Sequence, residues 1–214
     1  MDLNLVGKTA LVMASSQGLG KAVATELVRE GTNVMISSRN TKKLKKVQEE
    51  LNAIGKGQVS FYTADITKKE DIQQLVKETQ KVFGSVDILI NNAGGPPSGS
   101  FEDFSDEDWE NAFQLNLLSY IRAVREVLPD LKENGGKIIN IASSSIKQPI
   151  SGLILSNTFR LGIVGLSKTL AEELGPYNIL VNTVAPGRIA TDRIAELDEI
   201  TAKKQNVSMK EITR

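Results

Sequence analysis

Six short runs of apolar and β-branched residues punctuate the chain, at Thr9 to Ala14, Asn33 to Ser37, Val59 to Thr63, Val86 to Ile90, Lys137 to Ala142 and Ile179 to Val184. They are nearly continuous in hydrophobicity rather than alternating, the pattern of strands buried on both faces of a parallel sheet. Between them the period lengthens. Segments near Lys21 to Arg29, Lys42 to Ile54, Lys69 to Phe83, Asp106 to Lys132 and Ser156 to Leu174 repeat apolar positions every three or four residues, as amphipathic helices do. Gly31, Gly55, Gly84, Gly135 and Gly175 follow these segments, where a helix C-terminus favours glycine. Strand and helix in regular alternation predict an α/β protein with a doubly wound parallel sheet of Rossmann type in three layers. Ligand is then expected outside the carboxyl ends of the strands. No linker or composition shift divides residues 1–214, so a single domain is expected.

Composition narrows the chemistry. The 214 residues hold 26 Lys plus Arg against 26 Asp plus Glu, for zero formal net charge, and contain neither His nor Cys. That excludes imidazole bases, Ser-His-Asp triads, thiolate nucleophiles, disulfides and zinc sites built on nitrogen or sulfur ligands. No metal site is expected, and reaction chemistry falls to other side chains or to an organic cofactor. Balanced charge without a concentrated basic block lacks the footprint of a nucleic-acid binder, so no nucleic-acid partner is expected. No stretch approaches the roughly eighteen apolar residues of a membrane span, and Asp2 stands where a secretory signal has basic residues. The chain therefore reads as cytoplasmic, without a membrane partner. The sequon Asn206-Val207-Ser208 is assigned no function on this reading. Lys42, Lys43, Lys45 and Lys46, followed by Glu49 and Glu50, read as a solvated helix face; the alternative is an electrostatic contribution to a nearby phosphate.

The first strand candidate runs into Ser15-Ser16-Gln17-Gly18-Leu19-Gly20-Lys21 and then directly into a helix. Gly18 and Gly20 let the backbone approach a pyrophosphate, and the helix N-terminus offers unpaired N–H donors and a partial positive charge. With this turn the sequence resembles the short-chain dehydrogenase/reductase family, whose Thr-Gly-x3-Gly-x-Gly motif is similar to Met13-Ala14-Ser15-Ser16-Gln17-Gly18-Leu19-Gly20. Ala14 replaces a glycine of that motif, which restricts the backbone there. The resemblance implies cofactor contacts from Ser15, Ser16, Gln17, Gly18, Leu19 and Gly20. It extends to Asp65, followed by Ile66, similar to the acid that contacts adenine, and to Asn91-Asn92-Ala93-Gly94, where Asn92, Ala93 and Gly94 are expected at the cofactor. Pro186-Gly187 with Thr191 resembles the segment that folds over the nicotinamide end.

The end of the second strand separates NAD from NADP, because an acid there holds the ribose 2′-OH and repels a 2′-phosphate. The residues are Ser37-Ser38-Arg39-Asn40, with no acid. Arg39 is suited to charge-assisted hydrogen bonds to a phosphate and Ser38 adds a donor, so NADP(H) is the cofactor expected; the alternative leaves Arg39 as a surface charge.

In the family, a Ser after the fifth strand orients the substrate carbonyl, a Tyr on the next helix supplies the proton, and a Lys four residues later holds the nicotinamide ribose. Ile141-Ala142-Ser143-Ser144-Ser145 keeps the serine, but Ser156 stands at the Tyr position and Arg160 at the Lys position. Tyr62, Tyr120 and Tyr177 are expected in a strand, a helix interior and a turn, with packing roles. A missing general acid typically costs 10²- to 10⁴-fold, roughly 3 to 5 kcal/mol of barrier. A guanidinium keeps positive charge for the ribose diol yet does not surrender a proton. The catalytic set expected is Asn116, in Leu115-Asn116-Leu117 similar to the family's helix Asn, with Ser143, Ser156, Arg160 and Lys147. Lys147 lies just beyond the serine turn, where it either reaches the substrate or is an exposed loop lysine. Water is a further proton source.

These features, with Gly94-Gly95-Pro96-Pro97 and Leu155-Ser156-Asn157, resemble a divergent ketoacyl-carrier-protein-reductase-like subgroup. The expected function is NADPH-dependent hydride transfer to a small-molecule carbonyl or an activated alkene such as an enone. The alternative is a catalytically weak NADP-binding or scaffold protein. The resemblance also implies a homodimer or homotetramer through helices flanking the sheet, and the helix from Ser156 carries small and apolar Gly162, Val164 and Gly165. Ile189, Leu197, Ile200, Val207, Met209 and Ile212 are spaced as the apolar stripe of one or two short helices. Residues 190–214 are thus expected to begin a substrate cover and leave it incomplete, with the rest and a seventh strand in a longer polypeptide.

Overall fold

A computed structural model describes residues 2–205 and 208. Six parallel strands form one sheet in the order β3-β2-β1-β4-β5-β6. They are β1 (Thr9–Val12), β2 (Asn33–Ser38), β3 (Val59–Thr63), β4 (Ile88–Asn91), β5 (Gly136–Ile141) and β6 (Ile179–Val184). The helices are α1 (Gly18–Arg29), α2 (Thr41–Asn52), α3 (Lys69–Phe83), α4 (Asp106–Phe113), α5 (Ser119–Asn134), α6 (Ile154–Leu174) and α7 (Asp192–Gln205). Alternate residues of the central strand feed two cores. Ala10 and Val12 pack with Ala24 and Val28 of α1 and Leu44 of α2. Leu11 and Met13 pack with Ile72 and Leu75 of α3 and with Tyr120 and Val127 of α5. Both faces are dry, so both sets of side chains must be apolar, and fully burying each large one contributes about 1.5 to 3 kcal/mol.

The chain returns after β3 to lay β4 on the other side of β1, pairing Ala10 with Ile88 and Val12 with Ile90. Loops leaving β1 and β4 therefore diverge, and a crevice opens at this switch point. β1 is shorter than the apolar run because Ala14, at φ 48°, turns the chain out of the sheet just after Met13 N–H bonds to Ile90 O at 3.1 Å. The long helix expected from Asp106 is interrupted. A π-helical turn, Gln114–Leu118, separates α4 from α5. Such a turn holds one residue more than an α-turn and leaves the apolar stripe recognisable on either side, so periodicity alone does not reveal it.

Gly31, Gly55, Gly84 and Gly135 have positive φ, as their positions after helices suggest. Gly175 does not: at φ −51° it opens a 3-10 turn, and Asn178 at φ 57° supplies the left-handed residue. Gly162 serves contacts within the chain, since a Cβ there would lie 2.9 Å from Leu117 Cδ2. β3 and β6 are the sheet edges, and Leu180 and Val184 of β6 are exposed on the face opposite Val181, which packs into the α3–α5 core. Val207, Met209 and Ile212, and Asn206 of the sequon, lie outside the described residues. Among the described residues no helix is long and apolar enough to cross a membrane, and no acidic cluster is arranged to hold a metal ion.

The chain entering β4, at the end of the strand away from the cleft, is tied down by Asp130 of α5. Its carboxylate accepts the Val86 N–H at 2.8 Å and both oxygens accept from Gln80 Nε2 at 3.0 Å. Asp130→Ala leaves the Val86 donor without its partner and is expected to destabilise the fold by about 1 to 3 kcal/mol. Urea denaturation followed by circular dichroism checks this, with an unchanged midpoint counting against the tie.

Candidate functional site

The crevice is a cleft of about 830 Å³ running across the carboxyl ends of the strands. Its floor at β1 is the glycine turn. Asn92, just past β4, donates through Nδ2 to Met13 O at 3.2 Å and Ala14 O at 3.1 Å. A Cβ on Gly20 would lie 2.6 Å from Ala14 O and 2.7 Å from Asn92 Nδ2, so α1 reaches this close only with glycine there. Ala14 itself occupies the left-handed region, at a cost on the order of 1 kcal/mol for a residue with a Cβ. α1 begins at Gly18 without a side-chain cap from Gln17, leaving its first N–H groups toward the cleft for an anion. Ser16, Gln17, Gly18 and Leu19 line the cleft. Ser15 does not: it is buried, its hydroxyl donates to Val12 O at 2.7 Å and accepts from Ser37 N–H at 3.0 Å, and its role is to join β1 to β2.

At one end of the cleft stand Ser38, Arg39, Asn40 and Lys43. Arg39 is exposed and makes no ion pair among the described residues. Lys43 donates to Gln17 Oε1 at 2.6 Å, and Asn40 caps α2 by accepting Lys43 N–H at 3.0 Å. Lys43 is the member of the lysine run that lines the cleft, and the run alone did not distinguish it; the signal was Asn40, whose capping fixes where α2 starts and so which lysine turns inward. Asp65 and buried Ile66 form the adjoining wall. Burial opposes ionisation of Asp65, but the Thr67 hydroxyl at 2.7 Å and amide at 3.0 Å, with Arg39 and Lys68 nearby, hold its carboxyl below the usual value.

Ala93, Gly94, Ser143, Ser156 and Arg160 converge at the other end. Asn116, on the π-helical turn, donates to Gly94 O at 2.8 Å, while its Oδ1 is buried without a hydrogen-bond partner. Half-buried Ser143 caps a 3-10 turn by accepting Ser145 N–H at 3.2 Å. Arg160 is buried and reaches the ends of two strands, donating to Ile141 O at 2.9 Å and Ala93 O at 3.3 Å. No carboxylate pairs with it among the described residues. Pro186, Gly187 and Thr191 close this end, and Pro186 O accepts Ser144 N–H at 3.0 Å. Ile194, Leu197 and Ile200 of α7 also face the cleft, and buried Asp198 forms an ion pair with Arg188. Lys147 is exposed and outside the lining, so it is not brought together with the other expected catalytic residues.

The tyrosines all lie off the cleft. Tyr62 packs against the core, and Tyr177 sits beneath Lys132 Nζ at 4.7 Å from its ring centre. Tyr120 is buried and donates to the same Ile141 O that Arg160 holds, at 2.8 Å. Burial pushes its phenol above the ordinary value, against the opposing pull of Arg160.

The depressed Asp65 carboxyl carries a pH signature. Its favourable contribution to folding is complete above the ordinary Asp value of about 3.9 and is lost as pH falls through the lower folded value. Asp65→Asn is therefore expected to flatten the acid limb of a stability-against-pH curve below about pH 4 while leaving its shape at neutral pH unchanged. Thermal melts between acidic and neutral pH check this, and parallel acid limbs would refute it.

A family model described as short chain dehydrogenase matches residues 8–201. The chain is 33% identical over 204 residues to the uncharacterized oxidoreductase YvrD of Bacillus subtilis, covering 95% of this chain and 76% of that protein. It is 34% identical over 197 residues to the 3-oxoacyl-acyl-carrier-protein reductase FabG of Staphylococcus epidermidis, covering 91% and 80% respectively. Its fold is similar to that of L-sorbose reductase from Gluconobacter frateurii, solved with NADPH and L-sorbose, with a TM-score of 0.92 and 29% identity over 99% of this chain and 81% of that one. Since the family match runs from the first strand into the last helix and takes in both ends of the cleft, the chain belongs to the short-chain dehydrogenase family of oxidoreductases.

Proposed function

We propose that the protein is an NADP(H)-dependent oxidoreductase that reduces a small-molecule carbonyl or activated alkene without the family's usual Tyr-Lys pair. The observation that carries the cofactor assignment is Arg39, exposed just past β2, making no ion pair among the described residues and with Ser38 and Lys43 beside it. An exposed cation free of any ion pair at that point suits a 2′-phosphate, and no acid stands at the end of β2 to prefer a ribose hydroxyl. The Gly20 cradle and the open start of α1 suit the pyrophosphate, Asp65 and Ile66 the adenine, and Asn92, Ala93, Gly94, Pro186, Gly187 and Thr191 the nicotinamide half. L-sorbose reductase, the structural relative above, is described with NADPH. When bound, the nicotinamide supplies the hydride.

The chain's own groups then orient and stabilise. Ser143 and Ser156 are hydroxyl donors for a substrate oxygen, and Arg160 holds fixed positive charge for the nicotinamide ribose diol. Asn116 shapes the same wall by holding Gly94 O, and its unpaired Oδ1 is suited to an ordered water. With no tyrosine lining the cleft, the proton comes from water or a serine hydroxyl. An activated alkene fits this arrangement well, because its charge spreads to a distant oxygen. The second reading, a catalytically weak NADP-binding or scaffold protein, is favoured by the engagement of Arg160 with two backbone carbonyls. Single-turnover oxidation of NADPH across a carbonyl and enone panel separates the two. Residues 1–214 act on this proposal as one dinucleotide-binding unit, residues 190–214 contribute to the substrate cover, and the protein assembles as a homodimer or homotetramer through helices flanking the sheet.

NADPH is expected to bind more tightly than NADH, and Arg39→Ala to weaken NADPH selectively by about 1.5 to 3 kcal/mol, as for a lost charged hydrogen bond. Nucleotide fluorescence titration reads this, and equal affinities in the unmodified protein would sink it. Ser156→Ala is expected to slow the chemical step by less than about tenfold, well short of the loss of a true general acid. Arg160→Ala is expected to act mainly on nucleotide affinity. Stopped-flow single turnovers across pH distinguish these, and a loss above roughly 10²-fold from Ser156→Ala with intact binding would make Ser156 the proton donor.

A further inference from the structure

We infer that Arg122 of α5, which stands outside the cleft, is the residue that sets the Asp65 carboxylate for the adenine amino group of the nucleotide. The inference rests on the dinucleotide reading above and adds a positioning residue to it. Arg122 Nη1 donates to Thr67 O at 2.7 Å, and the guanidinium makes no ion pair among the described residues. The N–H of the same peptide unit, that of Lys68, donates to Asp65 O at 2.9 Å. Both polar ends of one peptide plane are therefore held, and the turn 65–68 between β3 and α3 cannot flip it without losing both bonds. Thr67 in turn clamps the side chain that lines the cleft: its hydroxyl and its N–H both donate to Asp65 Oδ1, at 2.7 and 3.0 Å. Asp65 Oδ2 has no hydrogen-bond partner among the described residues, so it is the oxygen left for a ligand's donor.

The bond is the upper rung of a ladder between two helices. Arg122, Glu126 and Asp130 recur every four residues and so share one face of α5. Gln73 of α3 donates to Glu126 at 3.1 Å and Gln80 of α3 to Asp130 at 3.0 Å, with the Thr67 carbonyl just before α3 completing the set. These bonds fix how far α3 stands along α5, and Arg122 carries that register up to the turn that brings Asp65 and Ile66 into the cleft wall. Its donor is charged, and such bonds are shorter and stronger than neutral ones. Arg122 acts on Asp65 through this bond and not through its charge, since the cations that favour the ionised carboxyl are Arg39 and Lys68. Partial burial of Asp65 works against ionisation, so the Thr67 donors help to keep the acceptor charged, and they meet it only while the turn holds its shape. Without Arg122 the Thr67–Lys68 peptide keeps one anchor of two, and Thr67 is free to turn its donors away from Oδ1.

The test is a titration, by nucleotide fluorescence, of NADPH and of its hypoxanthine analogue, in which a carbonyl replaces the adenine amino group, with NADH titrated beside them. The unmodified protein is expected to bind NADPH about tenfold more tightly than the hypoxanthine analogue, as for one hydrogen bond to a charged group. Asp65→Asn, whose amide can donate to that carbonyl, is expected to abolish the preference. Arg122→Met keeps an apolar stem without the donors and is expected to cut the preference to about twofold. Arg122→Lys, which returns a charged donor, is expected to recover it in part. The NADPH-to-NADH ratio belongs to Arg39 and is expected to stay unchanged in both Arg122 variants. Each ratio compares two ligands on the same folded protein, so a loss of stability alone moves neither. With the preference lost in Asp65→Asn, a preference undiminished in Arg122→Met, or a fall of both ratios together, would overturn the positioning role while leaving Asp65 at the adenine. No change in Asp65→Asn would overturn the adenine reading and the inference with it, and failure of the unmodified protein to bind NADPH would overturn the cofactor assignment beneath both.

Discussion

Everything at the cleft depends on how closely the first helix can approach the ends of β1 and β4. Gly20 allows the approach, and the Asn92 amide holds it by bonding the two carbonyls at which β1 turns away. A buried amide with two acceptors is worth keeping only if both bonds survive, because a half-satisfied polar group in a dry site costs more than an apolar one. The turn residue Ala14 is therefore held in a left-handed conformation that an L-residue ordinarily avoids. The strain at Ala14 and the open start of α1 accompany this one contact, while the divergence of β1 and β4 follows from the strand order. The anion site is a by-product of packing a helix against two strands that part.

The opposite end is organised by a buried cation. Arg160 has no carboxylate partner among the described residues, and an isolated buried charge would cost several kcal/mol. It is tolerated because two strand-end carbonyls, Ile141 O and Ala93 O, turn their negative poles toward it. Tyr120 donates a hydrogen bond to the same Ile141 O and is thereby fixed as a structural phenol, with burial holding the proton on. The forked guanidinium reaches two acceptors past the ends of different strands, where an ammonium would be a point charge. Buried Ser156, one turn earlier on the same helix, lines the cleft beside that fork.

The sheet and its order of helices were legible because burial on both faces forces unbroken apolar runs, a pattern few other environments impose. The glycine turn was legible for a similar reason, since only a residue without Cβ fits against Asn92. What escaped was conformation that hydrophobicity does not record. The π-helical turn that presents Asn116 leaves the apolar stripe in place on either side, and the inward position of Lys43 is set by the Asn40 cap rather than by the charge run. Ser15 reads as a phosphate donor by its place in the motif, yet its hydroxyl is consumed in joining β1 to β2. Gly175 reads as a left-handed helix stop, but it opens a 3-10 turn that includes Pro176 and leaves the left-handed position to Asn178. In each case a single hydrogen bond or one extra residue decided what a periodicity could not.

The two ends of the cleft also differ in how they meet water, and this bears on selectivity. The Arg39 and Lys43 end is exposed, so its charges act in a high dielectric, and they gain most from a ligand that brings full negative charge to them. The Arg160 end is buried, where a modest change in charge on the substrate is felt strongly because little solvent screens it. Between them the glycine turn contributes backbone dipoles that do not depend on side-chain chemistry. The cations at the two ends therefore act in different dielectric surroundings. A substitution at Ser156 or Arg160, both on α6, leaves the exposed end intact, because Ser38, Arg39 and Lys43 are carried by β2 and α2 and the loop between them.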